Sequence, residues 1–184
     1  DEEDDEEFDI NMYVDKPSLP VKDFYSKSSI KKGDDIDSGF KDWKRRLSNF
    51  HKPLKPITID TSEWSSVEGW FQANKFMHND DYSDYVEKFK HGNEFSEPKQ
   101  SKSAGGKGTS KKYKVSLDPD WDNKRVMIML KGLKARIEQD EELQTILKKI
   151  RNIYTLVHIE RSGKKSFWGG SYKKKSSDSS KNYI

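Results

Sequence analysis

The sequence predicts a mainly helical α+β domain with a few short strands. Three observations carry that expectation. Apolar residues recur at helical spacing in stretches that begin near positions 66, 121 and 141. Short strand or extended segments read near positions 21 and 57, and an alternating run rich in β-branched residues stands near position 155. The polar residues are gathered into tracts: only 31% of the 184 residues are hydrophobic and 36% are charged, which would suit a disordered chain if they were spread evenly. The folded part is therefore smaller than the chain, and its size suits one core.

The elements follow in order. Residues 1–20 read as an acidic, disordered tail and residues 21–184 as the domain. The first nine positions hold eight carboxylates, so without them the net charge of +3 becomes about +11 for the body. Such a tail is a solvated arm, although over a basic cleft it would compete with an anionic ligand. A strand is expected over 21–25 and an extended segment over 57–60, with Pro53 and Pro56 stiffening its approach. A helix should start after Ser65 or Ser66, where a serine cap precedes Val67, Trp70, Phe71, Ala73, Phe76 and Met77. Residues 82–89 extend the helical layer, whereas Pro98 and the Gly105-Gly106 pair stop it. The Lys, Gly and Ser of residues 99–114 read as a mobile loop, as do those of 173–181. After Asp118-Pro119-Asp120, a helix is expected to bury Val126, Met129, Leu130, Leu133 and Ile137. Another should begin near Asp140 and bury Leu143, Ile146, Leu147 and Ile150, and residues 155–160 read as a strand leading to a turn at Phe167-Trp168-Gly169-Gly170.

Within this plan the helix after Ser66 carries a polar row. Glu68, Gln72 and Lys75 stand at i, i+4 and i+7, so they line one flank of the apolar stripe. Partial desolvation there would raise a carboxylate pKa and lower an ammonium pKa, giving groups that move protons or attack a carbonyl carbon. The same spacing also fits a solvated helix face, and spacing alone does not decide between them.

Other chemistries find less support. With no cysteine there is neither a disulfide framework nor a thiolate metal site, and His51, His78, His91 and His158 show no paired ligand spacing. No metal and no cofactor are expected. No apolar run approaches membrane-spanning length and no secretory segment opens the chain, so a soluble, cytoplasmic protein without a membrane partner is expected.

Several motifs in series narrow the choice. Leu47-Ser48-Asn49-Phe50, Pro56-Ile57-Thr58-Ile59-Asp60, Trp64, Val67-Glu68, Phe71-Gln72-Ala73 and Lys75-Phe76 together resemble the NADAR family of NAD- and ADP-ribose-associated proteins. The likeness continues upstream in the run from Asp23 through Ser28, and downstream in Trp121, Met129, Leu133, Gln139, Leu143, Leu156-Val157 and Phe167-Trp168-Gly169. The resemblance implies an N-glycosidase that cleaves a ribose–nitrogen bond, either in an ADP-ribosyl group such as one on guanine or in a phosphoribosyl intermediate of the riboflavin pathway. ADP-ribosylated DNA is then a candidate partner. It implies Glu68 as acid/base and Lys75 as a candidate for Schiff-base formation, beside the plainer reading of Lys75 as a permanent cation. Ser48, Asn49, Phe50, Gln72, Trp121, Trp168, Gly169 and Asn182 are implied as substrate-binding residues, with Trp168 as a stacking platform. Separately, the loop residues from Lys102 to Lys107 supply backbone amides and charge suited to phosphate, without a P-loop motif.

The chain departs from the family pattern in places. His158 and Lys165 stand where relatives often carry carboxylates, which puts the leaving-group side of the pocket in doubt; Glu160 is an available substitute. The family's closing helix would follow Asn182, so it is expected to be missing from this chain. Two other classes stay open: a non-catalytic module that binds ADP-ribose, and a nucleic-acid-binding protein that uses the basic body.

Overall fold

A computed structural model describes residues 19–29, 36, 39–158 and 167–168. Strand β1 (Val21–Phe24) is followed by a one-turn helix α1 (Trp43–Arg46) and by the hairpin of β2 (Ile57–Ile59) and β3 (Ser62–Trp64). Helix α2 (Val67–Asn74) comes next, then a 3₁₀ turn (Asp80–Tyr82) that leads into α3 (Ser83–Glu87). Two short helices, α4 (Pro98–Ala104) and α5 (Lys107–Lys112), precede the long α6 (Trp121–Gln139), α7 (Glu141–Ile150) and the last strand β4 (Thr155–His158). The fold is thus α+β and mainly helical. Its strands form two pairs: β1 runs parallel to β4, with Val21 opposite Thr155 and Phe24 opposite His158, and β2 runs antiparallel to β3.

Helix α2 is the centre. Ser66 caps it, its Oγ accepting from the Gly69 N–H at 3.1 Å, which satisfies one of the first-turn donors. From Val67 to Ala73 every residue is buried, because β3, α4 and α6 pack around the helix. An aromatic cluster fills the space beneath it: Phe76 and Tyr85 stand at 5.1 Å, Tyr85 and Phe89 at 5.4 Å, Phe89 and Phe95 at 5.4 Å, all edge-on. A smaller cluster of Ile36, Trp43, Ile146 and Ile150 lies apart from it, with Tyr154 stacked on Trp43 at 5.8 Å.

Two expectations are corrected here. Residues 99–114 are not a loop but contain α4 and α5. Pro98 takes the first position of α4, where its missing N–H costs nothing. Ser101 is fully buried and its hydroxyl donates to the Phe95 carbonyl at 2.5 Å. Ser is thus a small core residue here, and Gly105-Gly106 only breaks one helix from the next. The second correction concerns α6. Val126, Leu130 and Ile137, expected inside, are exposed, Leu130 at 50%. The buried face runs instead through Trp121, Met129, Gly132 and Arg136. Gly132 sets that face: a Cβ there would stand 2.6 Å from Trp70 Cδ1, and the Trp70 indole N–H donates to the Ile128 carbonyl at 2.9 Å.

Arg136 is the least expected core residue, at 1% exposure. Its guanidinium donates to the Ser48 carbonyl at 2.9 Å and to the Arg46 carbonyl, and it pairs with the buried Asp140 at 3.2 Å. Asp140 in turn caps α7 by accepting from the Leu143 N–H at 3.0 Å. Replacing Arg136 by Met strands a buried carboxylate and two carbonyls, so a loss of about 3 kcal/mol or more is expected. Ser66→Ala, which removes a cap alone, should cost about 1 kcal/mol. Urea unfolding of both variants checks the order; equal losses would refute the role given to Arg136.

Candidate active site

The turn before the hairpin is tied to the start of α2. The Glu68 N–H donates to the Asn49 carbonyl at 3.1 Å, so the Ser48-Asn49-Phe50 turn and the first turn of α2 move as one piece. Ser48 is buried and its hydroxyl accepts from the Phe50 N–H at 3.2 Å, which shapes the turn itself. The Asn49 amide rests on Met129, with Nδ2 3.3 Å from Sδ. Phe50 is half-buried and carries the Lys102 ammonium over its ring at 5.4 Å.

The polar row lies deeper than the sequence suggested. Because α2 is enclosed on all sides, Glu68 is 7% exposed and Gln72 6%, and only Lys75 is half-buried. The Gln72 amide nitrogen donates to Glu68 Oε1 at 2.8 Å, while Gln72 Oε1 is buried with no hydrogen-bond partner among the described residues. Lys75 turns to the C-terminal end of α4, where its ammonium donates to the Gly105 carbonyl at 3.3 Å. The rings of Phe71 and Trp121 each lie 5.9 Å from that ammonium. Burial pushes the Lys75 pKa below its ordinary value, the negative charge of Glu68 opposes the shift, and the Lys102 cation adds to it.

The aromatic residues form a wall on one side of the row. Phe71 and Trp121 pack at 5.0 Å, and Trp121 is mostly core. Trp168 stands edge-on to Phe71 at 5.5 Å and stays half-buried, its carbonyl 3.2 Å from His158 Nδ1. The strand β4 thus carries His158 to the Trp168 end of the site. Gly169 and Asn182 lie outside the described residues, as do Glu160 and Lys165.

The structure therefore gathers Glu68, Gln72, Lys75, the 48–50 turn, Trp121 and Trp168 around one helix. Two participants were not legible as such. Gly105, which touches both Gln72 and Lys75, reads in the sequence only as a helix stop. Arg136, which holds the Ser48 carbonyl, interrupts an apolar row at Met129 and Leu133; an arginine on that face was the available signal.

An acid, an amide and an amine of lowered basicity, set on a buried helix behind an aromatic wall, define a small α+β domain with a protein-built polar site. The chain belongs to the NADAR domain family, which it matches over residues 24–183. It is 28% identical over 123 residues to the N-glycosidase YbiA of Shigella flexneri serotype 5b, covering 67% of this chain and 66% of the relative. The N-glycosidase YbiA of Shigella boydii serotype 4 is 27% identical over 114 residues, 62% of either chain. The chain thus spans slightly less than two thirds of the length of these relatives. Its fold is similar to the NMR structure of the E. coli protein YbiA, with a TM-score of 0.54 and 23% identity over 82% of this chain and 71% of that one. Among the described residues no helix is long and apolar enough to cross a membrane.

The depressed Lys75 has a sign that can be tested. The folded state holds this proton less tightly than the unfolded chain, so stability gained from releasing it increases as pH rises from the folded pKa toward the unfolded value of 10.5. Below that window the ammonium is a constant penalty. Lys75→Met is therefore expected to melt at a higher temperature than the parent at neutral pH, with the gain shrinking at alkaline pH. Thermal unfolding at several pH values measures this, and a lower Tm at neutral pH would overturn the assignment.

Proposed function

We propose that this protein is an N-glycosidase that hydrolyses the bond between a ribose-type sugar and a nitrogen, in an ADP-ribosyl or phosphoribosyl N-glycoside. Membership of the family and the N-glycosidase name of its relatives support the reaction class. The observation that carries the reading for this chain is the buried row, in which Glu68 and Lys75 flank Gln72 on one helix and the lysine is desolvated.

Cleaving the C1–N bond builds positive charge at the anomeric carbon, and the leaving nitrogen needs a proton. Glu68 supplies both needs in turn, donating the proton to the leaving nitrogen and then, as carboxylate, taking one from the attacking water. A covalent route is also open. Neutral Lys75 forms a bond from Nζ to C1 as the C1–N bond breaks and Glu68 gives its proton to the leaving nitrogen; a proton then passes from Nζ to the ring oxygen as the C1–O bond opens, leaving a protonated imine. Water then adds to the imine, the Nζ–C1 bond breaks, and the free sugar and the amine are restored. The low basicity of Lys75 favours this second route, because only the neutral amine attacks.

Ser48 shapes the turn, and on this reading Asn49 and Phe50 serve the sugar and Trp168 the leaving base. The phosphate falls to Lys102, whose cation stands over Phe50 and whose field reaches Lys75. Helices α4 and α5 replace the phosphate loop that the sequence suggested, so charge rather than a cradle of backbone amides meets the phosphate.

Incubation with ADP-ribosylated guanine DNA and, separately, with aminopyrimidine ribose phosphates tests the substrate, read by mass spectrometry. ADP-ribose from the first or ribose 5-phosphate from the second identifies the branch. Tight ADP-ribose binding with no product from either would favour a non-catalytic binding module. Glu68→Gln is expected to lower kcat by about 10²–10⁴-fold with the fold intact; full turnover would remove the acid/base role. If the amine is the nucleophile, borohydride during turnover should trap an adduct on Lys75. The rate should then climb with pH as the ammonium loses its proton, with a midpoint below 10.5.

A further inference from the structure

Gly105 ends helix α4, yet its backbone does not call for glycine: φ is −70° and ψ is −6°, open to any residue. Space forbids the side chain. A Cβ at this position would overlap Gln72 Oε1 and would stand 2.6 Å from Gln72 Cδ and 3.1 Å from Gln72 Cβ. All three of the nearest atoms belong to one side chain of the polar row. The same oxygen is buried with no hydrogen-bond partner among the described residues; it lies on the bare face of Gly105, where a Cα–H is the donor at hand. With its oxygen seated there, the Gln72 amide nitrogen is directed to Glu68 Oε1 at 2.8 Å. The Gly105 carbonyl, anchored because its own N–H donates to the Ser101 carbonyl at 2.8 Å, receives the Lys75 ammonium at 3.3 Å. One residue touches the row at its amide and again at its amine.

We infer that Gly105 is a positioning residue: its missing side chain clamps Gln72 onto Glu68, and its carbonyl fixes the direction of Lys75. The consequence for turnover rests on the glycosidase reading above, whereas the placement of the two side chains rests on geometry alone. A methyl group at 105 meets the flexible end of Gln72 and not the backbone, so the variant displaces the amide and leaves the fold standing.

Gly105→Ala is expected to lose about tenfold or more in kcat with KM changed by less than about threefold, because the residue acts through others and not on the substrate. In a Gln72→Ala background the two atoms nearest the new methyl, Oε1 and Cδ, are gone and only the Cβ at 3.1 Å remains, so the further change should be less than about twofold. Parental kcat in Gly105→Ala, or the same tenfold loss in the Gln72→Ala background, would overturn the inference. Should Gly105→Ala fail to fold, the double variant must fold; if it does not, Gln72 is not the obstacle and the inference is wrong. NMR separates this inference from the function. The Gln72 side-chain amide signals, assigned by their loss in Gln72→Ala, should shift in Gly105→Ala. A parent chain that cleaves no glycoside would sink the glycosidase reading, while unmoved Gln72 signals would sink this one.

Discussion

The enclosure of helix α2 is the constraint from which the rest follows. Seven consecutive residues, Val67 to Ala73, are buried, so the helix has no solvated face on which polar side chains could rest. Burying Val67, Trp70 and Phe71 contributes about 1.5–3 kcal/mol for each side chain. That surplus carries Glu68 and Gln72 out of water, where an unsatisfied polar group costs about 1–3 kcal/mol. Their mutual hydrogen bond offsets part of the cost, and the remainder is a strain against water that the apolar neighbours hold in place. The lowered basicity of Lys75 is the same effect at the rim of the same enclosure.

A second buried charge organises the periphery. Arg136 joins the carbonyls of the turn before the hairpin to Asp140 at the start of α7. Two chain segments far apart in sequence, residues 46–48 and 136–140, meet on one guanidinium, whose planar fork suits several carbonyl and carboxylate partners at once. Its hydrogen bond to Ser48 orients the turn that in turn accepts from Glu68 through Asn49. The site is therefore supported from two sides, by Gly105 beneath Gln72 and by Arg136 behind Ser48.

Much of this was legible. The serine cap and start of α2 and the start of α7 near Asp140 follow from short polar residues placed before apolar periodicity, and β1, β2 and β4 lie within the extended segments expected there. The failures have common causes. Propensity reads Lys, Ser and Gly as loop, but tertiary packing buries Ser101 and Ala104 and so orders α4. Periodicity reads Val126, Leu130 and Ile137 as core, but Gly132 permits so close an approach to Trp70 that the adjoining face of α6 turns inward. For the site, the spacing of Glu68, Gln72 and Lys75 was visible and their depth was not. Burial on every side depends on β3 and α4, of which the sequence marked neither.

The pairing of β1 with β4 brings together residues from near opposite ends of the described chain. Contacts of such long sequence separation carry a large closure entropy that is offset only once the intervening helices have organised. His158 sits at the end of β4 and its ring nitrogen meets the Trp168 carbonyl. Opening of this strand pair would release the His158 contact with the Trp168 carbonyl while α2 stays in its core. A local opening there is a different equilibrium from the unfolding of the helical body, whose core is built on α2.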